Sequence, residues 1–529
     1  MLVRLFITVG LSLLLVRGIH ADPAVNELPT GGQVTAGSAT INQSVNTLTI
    51  NQTTGRAAVN WDSFNVGGQA TVNIHQPTNN SVLLNRVISN NPTQIFGQLN
   101  ANGKVYLTNP NGIYFAPGSS LDVGGLIATT HGISNDDFMA GRDIFARNGS
   151  TASVINEGEL TTDLGSYIAL LAPEVRNNGV IIAHLGTVAL AAGETFELQF
   201  DGNNTLANIH VEPAAINTLV ENGNAVHAPE GLIILSAQAI DTLQGSVINN
   251  SGTLEASGIT NNGGVIRLGA MNGSVNISGL IDTSAVNGTG GHVEVTGDHI
   301  TVTSTAKLDA TGSTGGGEVL VGGDWQGSND VYQATTVTME SGATIDASAT
   351  HNGDGGKVVL WSDITNPDSV TTVDGTILAK AGLQGGDGGN IETSGYKINY
   401  ANATINASSV NGNGGLWLID PNTAYNVIDQ TNANIIASSL NNGTSVTNLV
   451  TAGDIAFNDN VSISKTSGGN ATLTLKTPNS IFMGTGSSIK STSGELNIVL
   501  WSNSSNLGGR IELGDSVNLL SNGGDITLG

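Results

Sequence analysis

Cysteine is absent from all 529 residues, so no disulfide staples the chain and no thiol serves as nucleophile or metal ligand. Aromatic residues make up only 4% and charged residues 11%, and the apolar fraction of 39% excludes a fully disordered chain but is thin for large globular cores. Cations are scarcer than anions, with 17 Lys and Arg against 42 Asp and Glu and a net charge of −25. Such a balance supplies no basic patch to displace counterions from phosphates, which argues against nucleic acid as a partner. It also disfavours anionic membrane surfaces and suits the solubility of a long extracellular rod. Long apolar runs are missing too. Leu5 to Val16 is too short to span a bilayer, and with Arg4 before it and Gly18-Ile19-His20-Ala21 after it, residues 1–21 read as a secretory signal cleaved before Asp22. A chain without cysteine is suited to crossing an oxidising compartment unfolded.

The motifs of chemistry are missing as well. The nine histidines fall in no His-Glu-x-x-His spacing, and there is no Gly-x-Ser-x-Gly, Walker loop or dinucleotide fingerprint. No catalytic residue, metal or cofactor is therefore expected. Gly385 to Ile391 has the look of a calcium-binding nonapeptide, but a single copy cannot share ions between coils, and a glycine corner is the simpler reading. Asn-x-Ser/Thr triplets such as Asn51-Gln52-Thr53 and Asn287-Gly288-Thr289 arise by chance in so Asn- and Thr-rich a chain, and there is no Arg-Gly-Asp.

What the chain does have is glycine, 71 of them, and repetition. Leu254-Glu255-Ala256-Ser257 precedes Gly263-Gly264-Val265-Ile266, and Ile281-Asp282-Thr283-Ser284 precedes Gly290-Gly291-His292-Val293. The pattern returns at Leu308 and Gly316, Ile345 and Gly355, Ile377 and Gly388, and Ile405 and Gly414. A tighter pair runs from Val154 to Ala172 and from Val175 to Ala192. Each unit reads as two short alternating strands joined by a glycine corner, too small to bury an apolar face alone. Stacked in parallel, such units make a β-solenoid, with about 20 coils and a length on the order of 90 Å at ~4.8 Å per coil. Excursions from the solenoid are expected at Glu194–Pro229 and Trp325–Gln333, with a soft boundary at Gly415–Pro421. Asp282, Asp309 and Asp346 share one place in the repeat and would stack as a column. The chain stops on a fresh coil, Gly523 to Gly529, without a polar cap, which suggests a longer protein.

The most specific stretch lies earlier. Asn109-Pro110-Asn111-Gly112 fits a type I β-turn at every position, with Val105–Thr108 entering it and Ile113–Phe115 leaving. Before it come Leu28-Pro29-Thr30-Gly31-Gly32, Asn46 to Gln52, Trp61-Asp62-Ser63-Phe64-Asn65, Leu84-Asn85-Arg86-Val87 and Asn91-Pro92-Thr93-Gln94-Ile95, and after it Gly124-Gly125-Leu126-Ile127-Ala128. In this order the set closely resembles the N-terminal secretion domain of filamentous-haemagglutinin-like exoproteins, the haemagglutination-activity module of two-partner secretion. Some members carry an upstream Asn-Pro-Asn-Leu motif. Here the nearest turn is Gln76-Pro77-Thr78-Asn79, so the resemblance is to the branch without it.

The resemblance implies an all-β chain: a right-handed parallel β-helix of the pectin-lyase-like kind with an N-terminal capping secretion domain. The expected domains are a signal at 1–21, a secretion domain at 22–150, β-helix repeats at 151–420 and continuing repeats at 421–529. It further implies a cognate outer-membrane transporter as partner, and Asn85, Arg86, Asn109, Pro110, Asn111 and Gly112 as residues that shape the turn and a recognition surface. A non-enzymatic adhesin, secreted or held at the surface of a Gram-negative-type envelope, is the expected function, with a host or neighbouring-cell ligand and no transmembrane segment. The stem of a contact-dependent toxin is the alternative, and a β-helix polysaccharide lyase a more distant one. Trp61 and Phe64 are expected in the core, with exposed contacts for the transporter as the alternative.

Overall fold

The computed structural model describes residues 21–529 except 203, 204, 242–244, 261, 330 and 505–507, so the signal expected at 1–21 lies, apart from Ala21, outside the described residues. The chain winds as a parallel β-helix. Each full rung has three strands rather than the two read from sequence, as in Ser153–Asn156, Glu159–Thr162 and Tyr167–Leu171. The third strand was hidden because it often continues the second without a break, as in Val265–Ile277 and His292–Val302. Both of these long strands pair with two successive walls of the next rung.

Strand pairing sets the register from rung to rung. On one wall Leu254, Ile281, Leu308, Ile345, Ile377 and Ile405 stack directly over one another, and all are buried. Their neighbours in sequence point outward, which is the period of two that the alternation required. Each inward Val, Leu or Ile contributes on the order of 1.5–3 kcal/mol when removed from water, so a continuous column outweighs any single polar contact. Followed strand to strand from Arg56–Trp61 to Ile526–Leu528, a second wall is seventeen strands deep among the described residues. At ~4.8 Å each this makes a rod of about 77 Å, somewhat shorter than the sequence reading.

Polar ladders run inside the apolar core as well. Asn156, Asn177, Asn222 and Asn250 are buried and hand one amide hydrogen bond down the axis, each Nδ2 donating to the next Oδ1 at 2.8 Å. At the corners the glycines are required by close approach. A Cβ on Gly290 would lie 1.9 Å from the Ala310 carbonyl oxygen, and one on Gly316 1.8 Å from that of Ala347.

The N-terminal end is closed by antiparallel pairing, Ala39–Gln43 against Thr47–Gln52 and Gln33–Ala36 against Arg56–Trp61. Trp61 and Phe64 lie in the core there, their rings meeting edge-on at 5.4 Å. The first excursion is shorter than expected. Thr195–Phe200 and Leu206–Glu212 form an antiparallel hairpin that pairs with Ile144–Ala146 over the outside of the rod, and the helix resumes at Thr218–Asn222. The second is a single 3-10 turn, Trp325–Gly327, packed against buried Trp361.

Past Pro421 the rungs continue, but an α-helix, Gln430–Asn441, takes a strand's place between Thr404–Asn406 and Ser462–Lys465. Sequence reading missed it, although Asp429 caps its start, accepting from Asn432 N at 2.8 Å. Ala433, Ile436, Ala437 and Leu440 line its buried face at helical spacing.

Replacing Asn177 with Leu strands the buried Asn156 amide and Asn222 carbonyl at once. The expected loss of stability is on the order of 2–5 kcal/mol by urea unfolding; an unchanged midpoint would mean the amide ladder contributes nothing.

Candidate functional site

The Asn-Pro-Asn-Gly turn joins the strand Gln98–Thr108 to Ile113–Phe115. It closes with the Gly112 N–H donating to the Asn109 carbonyl at 3.1 Å. Asn109 Oδ1 accepts from the Asn111 backbone at 2.9 Å, the side-chain-to-backbone bond that Asn at a turn's first position supplies. Gly112 has φ +111, a value that L side chains rarely adopt, so glycine is needed there.

The turn is tied to the coils on both sides. Asn109 Nδ2 donates to Asn91 O and Thr93 Oγ1, both at 3.0 Å, and Asn111 Nδ2 donates to Ser89 O at 2.8 Å, all in the preceding coil. From the following coil Ser150 Oγ donates to Pro110 O at 2.7 Å. Asn109 and Gly112 are buried, Asn111 is half-buried and Pro110 alone of the four is exposed. The motif is thus mostly an internal joint between rungs, with Pro110 at its surface.

Asn85 and Arg86 sit one rung below, in Val82–Val87. Asn85 points inward, and its Oδ1 accepts from Trp61 Nε1 at 3.1 Å. Its Nδ2 is buried with no hydrogen-bond partner among the described residues. Arg86 points outward and straps down the segment that crosses the wall. Its guanidinium donates to Asn60 Oδ1 at 3.1 Å, Asn135 Oδ1 at 3.0 Å and Ile133 O at 2.8 Å, and its burial lowers its pKa. Arg86 and Asn109 therefore do different work: one clips an outer cover, the other joins coils.

The cover hides a network that sequence reading missed, since its members lie far apart in the chain. Asp143 Oδ1 accepts from Arg56 at 2.7 Å and its Oδ2 from the Tyr106 hydroxyl at 3.1 Å, which in turn lies 3.1 Å from the Tyr167 hydroxyl. Burial pushes the Asp143 carboxyl and both phenols up, Arg56 opposing it in each case. Nearby, burial lowers His131 to about 4, leaving it neutral beside Gly193 O at 3.2 Å.

Elsewhere, Asp282, Asp309 and Asp346 do stack in register. Each Oδ1 accepts from the backbone N–H two residues on, at Ser284, Thr311 and Ser348, so the column repeats a turn-closing contact. Asp387, in the nonapeptide-like stretch, is likewise bonded to the backbone of Asn413 at 2.7 Å. Among the described residues no three His, Asp or Glu side chains converge as metal ligands. No described helix is long and apolar enough to cross a membrane.

A profile of the TPS secretion domain matches residues 26–283, the capped end, its outer cover and the rungs that follow. The HMW1 secretion domain from Haemophilus influenzae, a solved structure, is 30% identical, with a TM-score of 0.66 over 74% of this chain and 100% of its own. The chain belongs to the two-partner-secretion exoproteins. Two heme/hemopexin-binding proteins of Haemophilus influenzae match this exoprotein at 29% identity over 57% of its length and at 27% over 54%. It spans about a third of those relatives, 34% of each. A TPS secretion domain implies a cognate outer-membrane transporter.

One buried acidic pair gives the exoprotein a pH dependence. Glu392 is packed beneath the Trp325 turn, accepting from Gln326 N at 2.9 Å and Ser394 Oγ at 2.7 Å, and Asp420 is buried on the next strand of the same wall. Burial raises Glu392 to about 7, and burial with the Glu392 charge raises Asp420 to about 7. Folded values above the unfolded ones mean that stability present below about pH 4 is lost as pH rises through about 7. The melting temperature is expected to fall between pH 5 and pH 8, and Glu392→Gln to flatten that fall; an equal slope in wild type and variant would contradict the assignment.

Proposed function

We propose that this exoprotein is an adhesin, presented at the cell surface or released, whose capped N-terminal rungs address the transporter and whose remaining rungs form a stiff stem. One observation carries the reading: a seventeen-strand wall in unbroken register that runs on well past residues 26–283, the span matched by the secretion-domain profile. Such a rod holds distal rungs tens of ångströms from the end that is handled at export. The protein is taken to be non-enzymatic, and the turn-closing role of Asp282, Asp309 and Asp346 favours this over a lyase. A second reading, capture of haem or a haem-carrying protein, draws on the names of the two Haemophilus influenzae relatives.

Asn109, Asn111 and Gly112 act by holding the turn, and Pro110 offers the exposed part of a transporter contact. Asn111→Ala removes the link to Ser89, and Gly112→Val forces a side chain onto φ +111. Export, measured as protein outside the cell with and without the cognate transporter, should fall several-fold for each variant. Equal export of variants and wild type would refute the role given to the turn. Beads coated with the exported protein should adhere to host cells or neighbouring bacteria. Adherence to neither would end the adhesin reading, and a haem absorbance spectrum unaltered by the protein would count against haem capture.

A further inference from the structure

Along the outside of the rod runs a groove of about 550 Å³. Its floor is the stacked glycine pairs Gly263-Gly264, Gly290-Gly291, Gly316-Gly317 and Gly355-Gly356. One bank is the row of corner loops, which bridge each other in parallel at Gly258, Ala285, Gly312 and Ala349. The other bank is a single register row on the second wall: Val265, His292, Glu318, Lys357 and Asn390. Five rungs at ~4.8 Å give it a length of about 19 Å along the axis. The floor stays open because side chains cannot grow from it, a Cβ on Gly317 falling 2.2 Å from the Gly291 carbonyl oxygen.

The chemistry of the banks narrows the ligand. Burial opposes it, but hydrogen bonds and charge from Glu294 and Glu318 raise His292 to about 9, so it is cationic at neutral pH. Its Nδ1 lies 2.8 Å from Glu318, and Lys357 pairs with Glu318 and, at 2.9 Å, with Asp324. Charge thus alternates along the row and is largely compensated within it, which gives a polyanion such as nucleic acid little to bind. An extended peptide fares no better. Every N–H of the four glycine pairs already donates to a carbonyl of this chain, so none is left to pair with a second backbone. What the row does present is a mixture of donors and acceptors, imidazolium, carboxylate, ammonium and the exposed Asn390 amide, over a flat floor. Hydroxyl groups, which donate and accept at once, match such a mixture.

We propose that this groove is a binding site for a neutral oligosaccharide lying along the rod axis, gripped by Glu318, Lys357, His292 and Asn390. It deepens the adhesin reading by naming a ligand class, and rests on that reading only for its extracellular setting. Binding to purified protein is measured apart from export and cell adherence, so either can fail without the other. Calorimetric titration of residues 22–529 with cellohexaose, maltohexaose and chitohexaose is the test. At least one should bind, Glu318→Gln should weaken it tenfold or more, Asn390→Ala should weaken it severalfold, and Asp368→Asn on another face should leave it unchanged. Circular dichroism melts confirm that each variant is folded, and Asn390→Ala, at an exposed position, serves should Glu318→Gln fail to fold. The proposal is overturned if none of the three sugars binds, if both groove variants bind as wild type does, or if heparin or a glycine-rich peptide binds in place of the neutral sugars.

Discussion

Everything in this structure depends on one constraint: each rung must place its inward side chains directly above those of the rung before. Parallel pairing shifted by one residue would turn Ile281, Leu308 and Ile345 to water and their outward neighbours to the core. The glycine corners enforce the same register sterically, since the chain reverses there within van der Waals reach of the previous coil. Buried amides enforce it chemically, because an Asn slipped by one place loses both partners. Apolar burial supplies most of the stability, and the polar ladder specifies the alignment.

This constraint also explains how an address and a rod coexist. The turn at Asn109 to Gly112 is bonded to the coil below and the coil above, so it registers three layers at once. Arg86 and the Asp143 network hold a second layer over the same rungs and make the N-terminal part thicker than the rest. A unit with antiparallel closure at one end and a cover on its flank buries surface that a bare rung leaves exposed. Later rungs have a finished edge to add to.

Much of the fold was legible because a solenoid writes its geometry into spacing. The recurrence of Ile-Asp-Ala-Ser and Gly-Gly located the corner between two walls, and each repeat named from sequence lies in the predicted column. The third wall was not read, since Ser274–Ile277 belongs to one strand running from Val265, and Asn272-Gly273, with Asn272 at φ +56, shifts the register there without ending the strand. The helix at Gln430–Asn441 had its signals, an Asp cap and apolar residues at helical spacing, but they sat inside a chain read for strands. At the candidate site the turn itself was plain from Asn-Pro-Asn-Gly. That Asn85 and Asn109 face inward, and that Arg86 binds a segment some fifty residues on, follows only from tertiary packing, which single-sequence patterns do not carry.

If register is passed from each rung to the next, the capped N-terminal unit should template the rungs beyond it. Refolding residues 22–302 and 303–529 as separate chains tests it most directly, with circular dichroism and protease resistance as readouts. The N-terminal piece should acquire β-structure and resistance alone, while the C-terminal piece should stay protease-sensitive. If residues 303–529 fold alone as readily as residues 22–302, the rungs need no template, and the account is wrong.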